Sequence, residues 1–375
     1  MNRKNICEIC TLIMGQSPDS KSYNKDKNGI PFYQGNADFG EEHPTPTVWC
    51  TAPKKIARKG DILISVRAPI GDMNIANEDC CIGRGLAAIR LNKSDIVDIN
   101  YLYHYLSATV EFLQEQGTGS TFKAINKTTL EGIEIPCPSI EKQKNIAKLI
   151  IEIKTSIQYK KAELFALNEL VKSRFIEMFG TLDLSIQGES WLPLSEISTI
   201  YTGTTPSTKE KENWDGKIPW ITPAELSEDS FFVFDSERKI TEKGLKSKSL
   251  SLMPKNTVLL STRAPIGKVA IAGIEMCCNQ GFKNFHCNNT ILNPIYLYTL
   301  LKNNNEYLNS LGTGTTFKEI SKTNVSKIKV PVANISLQNE FAEYVKLIDK
   351  SKFIVQKQID DLQELLDSKM DEYFG

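Results

Sequence analysis

The chain repeats itself over almost its whole length. SVRAPIG at 65–71 returns as STRAPIG at 261–267, and GTGSTFKAINKTTLEGIEIP at 117–136 returns as GTGTTFKEISKTNVSKIKVP at 312–331. YLYHYL at 101–106 answers YLYTLL at 296–301, and KSRFIEMFG at 172–180 answers DSKMDEYFG at 367–375. Gly15-Gln-Ser-Pro18 matches Gly203-Thr-Thr-Pro206, and Ile30-Pro31-Phe32 matches Ile218-Pro219-Trp220. The offset is 188 early in the unit and 195–196 later, so one copy carries a small insertion. That period is far too long for a solenoid, whose repeats run to roughly 20–50 residues. It implies a tandem duplication of one domain followed by one helical tail. A chain of 375 residues is also longer than one hydrophobic core usually serves.

Each copy opens with short β-like runs bounded by Gly, Pro and Asn, such as Asp61–Ser65 and Thr257–Ser261. An apolar helix follows, from Tyr101 to about Gln114 in the first copy and from Asn293 to about Leu308 in the second. Pro294 suits the first turn of that helix. A Gly-Thr-Gly loop and a strand ending at Pro136 or Pro331 close the domain. The expected fold class is α+β: two tandem similar α+β domains separated by two long helices. The expected boundaries are 1–138 and 181–333 for the domains, and 139–180 and 334–375 for the helices.

Between Ser139 and Phe179 there is no Pro and no Gly. Ile146, Ile150, Ile153, Ile157, Leu164, Leu167 and Val171 alternate in steps of four and three, a heptad seam interrupted only at Lys160. Phe341, Val345, Ile348, Val355, Ile359, Leu362 and Leu366 keep the same phase in the second tail, interrupted at Lys352. An amphipathic helix of about forty residues, roughly 60 Å long, cannot bury such a stripe alone. Residues 139–180 carry eight basic and five acidic side chains, a net +3, and residues 334–375 carry five and nine, a net −4. Opposite charge favours pairing of one tail with the other as a coiled coil over like with like.

The chemistry available is narrow. No 18-residue apolar run is present to cross a membrane, and the N-terminal segment lacks a signal-peptide core, so a cytoplasmic location is expected. Nine cysteines, two pairs of them adjacent at Cys80-Cys81 and Cys277-Cys278, read as buried thiols rather than disulfides. Cys7 and Cys10 lack a second pair at zinc spacing, and His43, His104 and His286 form no metal or triad pattern. There is no P-loop, because Gly117–Thr121 and Gly312–Thr316 lack the Gly-Lys-Ser/Thr core. Those loops read equally as tight turns or as backbone phosphate cradles. Asn293-Pro-Ile-Tyr296 only faintly resembles an adenine-methyltransferase motif and reads better as a helix start. The expectation is a chain that binds, holds no metal or cofactor, and does not catalyse.

Taken in order, the GQSPDS opening, SVRAPIG, GTGSTFKAI, the strand exit and the helix beginning IEKQKNIAKLI, all repeated, resemble the specificity subunit of type I restriction-modification systems. The resemblance implies two target-recognition domains, each reading half of a bipartite site in duplex DNA. It implies that the two helices form an antiparallel spacer. The implied partners are two methyltransferase (modification) subunits, which carry the adenine chemistry, and the restriction/translocase subunits. One departure is Ile82-Gly-Arg-Gly85 where the second copy has Cys278-Asn-Gln-Gly281. A stand-alone DNA-binding regulator or decoy of the same architecture is the alternative. Equal counts of 45 basic and 45 acidic residues fit a subunit whose partners help to clamp the duplex.

The duplication also sorts candidate DNA contacts. Two domains that read different sequences should diverge at base-reading positions and share scaffold or phosphate contacts. Arg67 with Arg263, and Lys123 with Lys318, are shared cations, each a candidate phosphate contact or structural ion pair. Shared Gly15/Gly203 and Pro18/Pro206 set a loop. Base readers are expected at Gln16, Ser20, Lys21, Tyr23, Tyr33, Gln34 and Asn36 in the first domain. Their counterparts are Thr204, Thr208, Lys209, Trp220, Thr222 and Glu225 in the second.

Overall fold

The structure is a computed structural model and describes residues 2–117, 123–186, 188–227, 230–248, 250–314 and 318–375. It forms two compact units, Met1–Lys161 with Gln358–Gly375, and Ala162–Lys357. Both unit boundaries fall inside long helices, Ile140–Phe179 and Ile335–Phe374, each of 40 residues. Each unit therefore holds one α+β domain, part of the helix that follows it and part of the other long helix.

In the first unit Cys10–Met14, Leu86–Leu91, Ile62–Ser65 and Met73–Ile75 make an antiparallel sheet in that order. Its middle strands carry the apolar runs Ile62–Ile64 and Leu86–Ile89, buried because both faces are covered. A second sheet is built around Ile30–Tyr33, which pairs in parallel with Cys80–Ile82. Arg3–Asn5 pairs with Glu134–Pro136 and closes the domain. The second unit repeats the plan with Ser198–Thr202, Lys283–Cys287, Val258–Leu260 and Val269–Ala272, and with Leu192–Pro193 against Lys329–Val330. Its extra residues fall between Trp220 and Val258, the stretch that supplies the added edge strand Phe232–Val233 beside Val269–Ala272.

The apolar helix of each domain is broken, unlike the single helix expected. Ile99–Ala108 and Val110–Glu115 are separated at Thr109, whose N–H is shared among the carbonyls of the preceding turn. Pro294–Asn303 and Asn305–Ser310 repeat the break at Asn304. Asp98 and Asn293 are N-caps, and Pro294 takes the first turn, so Asn293-Pro294 is a helix start.

Each long helix is tied to its domain by one buried glutamine. Gln143 is fully buried; its amide donates to the carbonyls of Ile96 and Pro138, and its oxygen accepts from Asp98 N–H, all at 2.9 Å. Gln338, also fully buried, donates to Ile291 (3.0 Å) and Ala333 (2.7 Å) and accepts from Asn293 N–H (2.9 Å). The helix start is thus bonded to the N-cap residue of the domain helix in both copies.

The heptad seam is buried as its spacing requires. Ile146, Ile150, Ile153 and Ile157 are buried, and Leu164, Leu167 and Val171 are half-buried. Within the second unit the two long helices run antiparallel. Phe175 meets Phe341 at 5.4 Å, while Val171, one turn back, shares a groove with Val345, one turn on. Arg174 pairs with Glu340 at 3.2 Å beside them. Phe175 and Phe341 are both nearly inaccessible, and each contributes about 1.5–3 kcal/mol by burial. Phe179, near the end of the first long helix, packs on Tyr296 at 4.8 Å. The equivalent Phe374 packs on Tyr101 at 5.4 Å in the first unit.

All nine cysteines are free, and all but Cys7 and Cys137 are buried. Burial pushes the thiols of Cys10, Cys80, Cys277, Cys278 and Cys287 up to about 12, so they pack as small apolar groups. No helix among the described residues is long and apolar enough to cross a membrane.

Candidate nucleic-acid interface

In both copies the loop opening the domain is pressed onto the loop that follows the parallel strand pair. Gly15 N–H bonds Leu86 O (2.9 Å) and Gln16 N–H bonds Ile82 O (3.0 Å). A Cβ at Gly15 would lie 2.1 Å from Gly83 O, and one at Gly203 would lie 2.0 Å from Asn279 O. Only glycine permits that approach. Thr204 N–H bonds Cys278 O (3.0 Å), the counterpart of the Gln16 bond. Pro18 and Pro206 are buried beneath these loops.

The candidate readers separate into surface and core. Gln16, Ser20, Lys21 and Gln34 are exposed, and Asn36 is half-buried with its amide donating to Asp72 at 2.7 Å. Asp19 caps the short turn Ser20–Ser22 and so fixes the backbone that carries Ser20 and Lys21. Tyr23 is half-buried, stacked on Phe32 at 4.7 Å, with its hydroxyl donating to Pro18 O. Tyr33 is fully buried, and burial drives its hydroxyl well above the usual tyrosine range. It serves the core beneath the loop rather than the surface. In the second unit Thr208 and Lys209 are exposed and Thr204 is half-buried. Trp220 is 3% exposed, its indole N–H held by Thr204 O at 3.0 Å and its ring edge-on to Trp214 at 5.1 Å. Thr222 and Glu225 cap each other: both the N–H and the hydroxyl of Thr222 bond Glu225 Oε1. Tyr33, Trp220, Thr222 and Glu225 thus spend their polar atoms or their faces inside the protein. Sequence reading missed Arg238, whose guanidinium lies 3.5 Å over the Trp214 ring. The two tryptophans, Trp214 and Trp220, on the strand Trp214–Ile221 earlier in the chain are the signal that was available.

The shared cations differ between copies. Arg67 bridges Ala124 through the backbone, and Ala68 N–H bonds Lys123 O at 3.1 Å, so both cations stand where two chain segments meet. Both are exposed. Arg263 instead bonds Glu319, which stands where the first copy has Ala124, at 2.9 Å. Lys283, 9% exposed at its side chain, reaches the other Glu319 oxygen at 3.3 Å, and the first copy has Ala87 there. Burial raises Glu319, but the hydrogen bond from Arg263 and the charge of Lys283 outweigh it and hold its carboxyl below the ordinary range. Lys318 is exposed. The Gly-Thr-Gly loops continue into 118–122 and 315–317, and their reading as phosphate cradles lies outside the described residues. Among the described residues no group of three or more His, Cys, Asp or Glu side chains is placed to hold a metal.

The family described as Type I restriction modification DNA specificity domain matches twice, over residues 1–169 and 191–364. A putative type I restriction enzyme MjaX specificity subunit from Methanocaldococcus jannaschii is 49% identical over 152 residues, 40% of this chain and 36% of that protein. The MjaIX specificity subunit of the same organism is 37% identical over 48% of this chain and 43% of its own length. The EcoR124I/EcoR124II specificity subunit of Escherichia coli is 28% identical over 67% of this chain and 63% of that protein. The matches thus span about a third to two thirds of these relatives' lengths. The crystal structure of a type I restriction-modification S subunit from M. genitalium superposes with a TM-score of 0.63 at 16% identity, covering 100% of this chain and 96% of that one. A second solved chain, from work on complex assembly and conformational transition of the type I R-M system, gives 0.60 at 16% identity, covering 100% and 97%. These structures share the fold. With its two domain matches taking in most of the sequence, the chain belongs to the type I restriction-modification DNA specificity family.

Proposed function

We propose that the chain is the sequence-reading subunit of a methylating and restricting complex, and that its two domains each read one half of a bipartite duplex site. The observation that carries this reading is the twofold match of a DNA specificity domain to copies whose loop frames agree and whose exposed side chains differ. The domains are residues 1–138 and 181–333, and the helical segments 139–180 and 334–375 set the spacing and dock the modification subunits. Gln16, Ser20, Lys21, Gln34 and Asn36 are the first domain's base-reading candidates, with Arg67 and Lys123 on the backbone. Thr204, Thr208 and Lys209 are those of the second, with Lys318 on the backbone. Tyr23 supports the first loop from below. Adenine methylation, translocation and cleavage belong to the partner subunits.

The test replaces residues 1–138 in the assembled complex with the first domain of another such subunit and maps the methylated sites. One half of the site should change and the other persist. A change in both halves, or in neither, refutes independent reading.

A further inference from the structure

The two copies place the same loop junction in different electrostatic states. In the first, Arg67, Arg84 and Lys123 are all exposed, and among the described residues none of the three is in an ion pair. The backbone brings them to one place. Val66 N–H bonds Gly85 O at 2.9 Å, joining the neighbours of Arg67 and Arg84. Ala68 N–H bonds Lys123 O at 3.1 Å and Ile125 N–H bonds Val66 O at 3.0 Å, joining the third segment. Three exposed cations thus stand at the crossing of three chain segments, one of which is bonded to the loop opened by Gly15 through Arg84 N–H and Ser17 Oγ at 3.4 Å, and together they suit an anion. The side chains behind them, Ala87 and Ala124, offer no charge.

The second copy has the same crossing: Thr262 N–H bonds Gly281 O (2.7 Å) and Ile320 N–H bonds Thr262 O (2.9 Å). Its charges are spent internally. Glu319 takes both Arg263 and Lys283, and Gln280 stands where Arg84 is, accepting from the Thr205 hydroxyl at 2.6 Å. Of the three equivalent positions only Lys318 remains an exposed cation outside the Glu319 cluster.

We propose that the two domains grip their half-sites unequally: Arg67, Arg84 and Lys123 hold DNA phosphates, while Arg263 braces its own domain. This rests on the reading of the chain as a DNA-recognition subunit. A phosphate contact releases condensed counterions, so each one adds about 0.9 to the slope of log affinity against log salt. A structural ion pair adds nothing to that slope.

The experiment measures binding of the assembled specificity–modification complex to a duplex carrying its methylation site, over a salt series. Arg67→Gln, Arg84→Gln and Lys123→Gln should each lower the slope by about 0.9, and Arg67→Lys should restore it. For the triple variant a fourfold drop in salt should raise affinity about forty-fold less than it does for the unmodified complex. Arg263→Gln should leave the slope unchanged. If that variant folds poorly, the double variant Lys283→Ala with Glu319→Ala answers instead: it gives the second copy the uncharged pair that Ala87 and Ala124 form in the first, frees Arg263 and should raise the slope. Equal slope losses for Arg67→Gln and Arg263→Gln, or an unchanged slope in the triple variant, overturn the proposal while site-specific binding stands. Absence of any site preference in the unmodified complex overturns the DNA-recognition reading itself.

Discussion

Replacing Gln143 with methionine keeps the length and nearly the volume of the side chain and removes all its polar atoms. Three backbone groups lose their partner: the carbonyls of Ile96 and Pro138 and the N–H of Asp98. Each is part-buried, and the glutamine itself is fully buried, so solvent replaces the lost bonds poorly. At about 1 kcal/mol net per hydrogen bond, and more where a group is left orphaned, Gln143→Met should cost about 3–5 kcal/mol. That is a large part of the roughly 5–15 kcal/mol that holds a domain folded. Peptide-resolved hydrogen exchange separates the two units, which a single melting curve does not. Protection should fall around Ile96–Tyr101 and at the start of the first long helix, and persist around Ile291–Tyr296. Gln338→Met should give the mirror result. A cost under about 1 kcal/mol, or equal loss in both units, would refute the view that these glutamines fasten helix to domain.

Three further predictions follow from other parts of the fold. Inserting seven residues in each long helix keeps the heptad phase and adds roughly 10 Å, about three base pairs and about a third of a duplex turn. The methylated site should gain two to three (about) spacer pairs, or activity should be lost to the rotation; full methylation at the original spacing would show the helices are no ruler. His104 is buried, and that burial, helped by the charge of Lys154, holds it down to about 4. The unfolded chain protonates near 6.5, so stability from this group is complete above that pH and is lost as pH falls toward 4. By about pH 5 the loss is about 2 kcal/mol, and His104→Leu should flatten that limb of the stability–pH curve; parallel curves for the two proteins would contradict the assignment. Gly15→Ala puts a methyl 2.1 Å from Gly83 O, so it should destabilise the first domain by about 1–3 kcal/mol and weaken recognition of its half-site only, read by thermal melting and by methylation of sites mutated in one half.

Architecture was legible because duplication and periodicity are properties of sequence itself. SVRAPIG and STRAPIG, and the isoleucines from Ile146 to Ile157, declared the two copies and the buried helical seam without reference to coordinates. The site was less legible because exposure is not written in residue type. Tyr33 and Trp220 have base-contacting chemistry, yet both lie on strands that turn them inward. Thr222 and Glu225 look free in a string of letters and bind each other across one turn. Gln143 and Gln338 sit at the same offset in both copies, which was a signal, but polar residues on a helix ordinarily read as solvated. The division of Arg67 from Arg263 was hidden for a different reason: it depends on Ala124 and Glu319, residues distant in sequence that the fold brings beside the arginines through a backbone bridge, where Glu319 forms an ion pair and Ala124 cannot.

The Glu319 cluster also limits how such genes can recombine. Lys283 is buried and paired with Glu319, 36 residues later, while the first copy meets the same two positions with Ala87 and Ala124. A crossover between the two copies that falls between these positions yields, in one product, a buried lysine facing alanine and, in the other, a Glu319 that keeps an arginine beside it, Arg67 in place of Arg263, but loses the lysine. Losing one member of such a pair costs roughly 3–5 kcal/mol when both are deeply buried, and Glu319 is only partly so, which places the cost near the low end. Hybrids that keep Lys283 without Glu319 lose that stability, whereas hybrids broken before Lys283 or after Glu319 inherit a matched set. Whole domains can therefore pass between such genes freely, and new specificities should arise by exchange of complete domains rather than by patchwork within one.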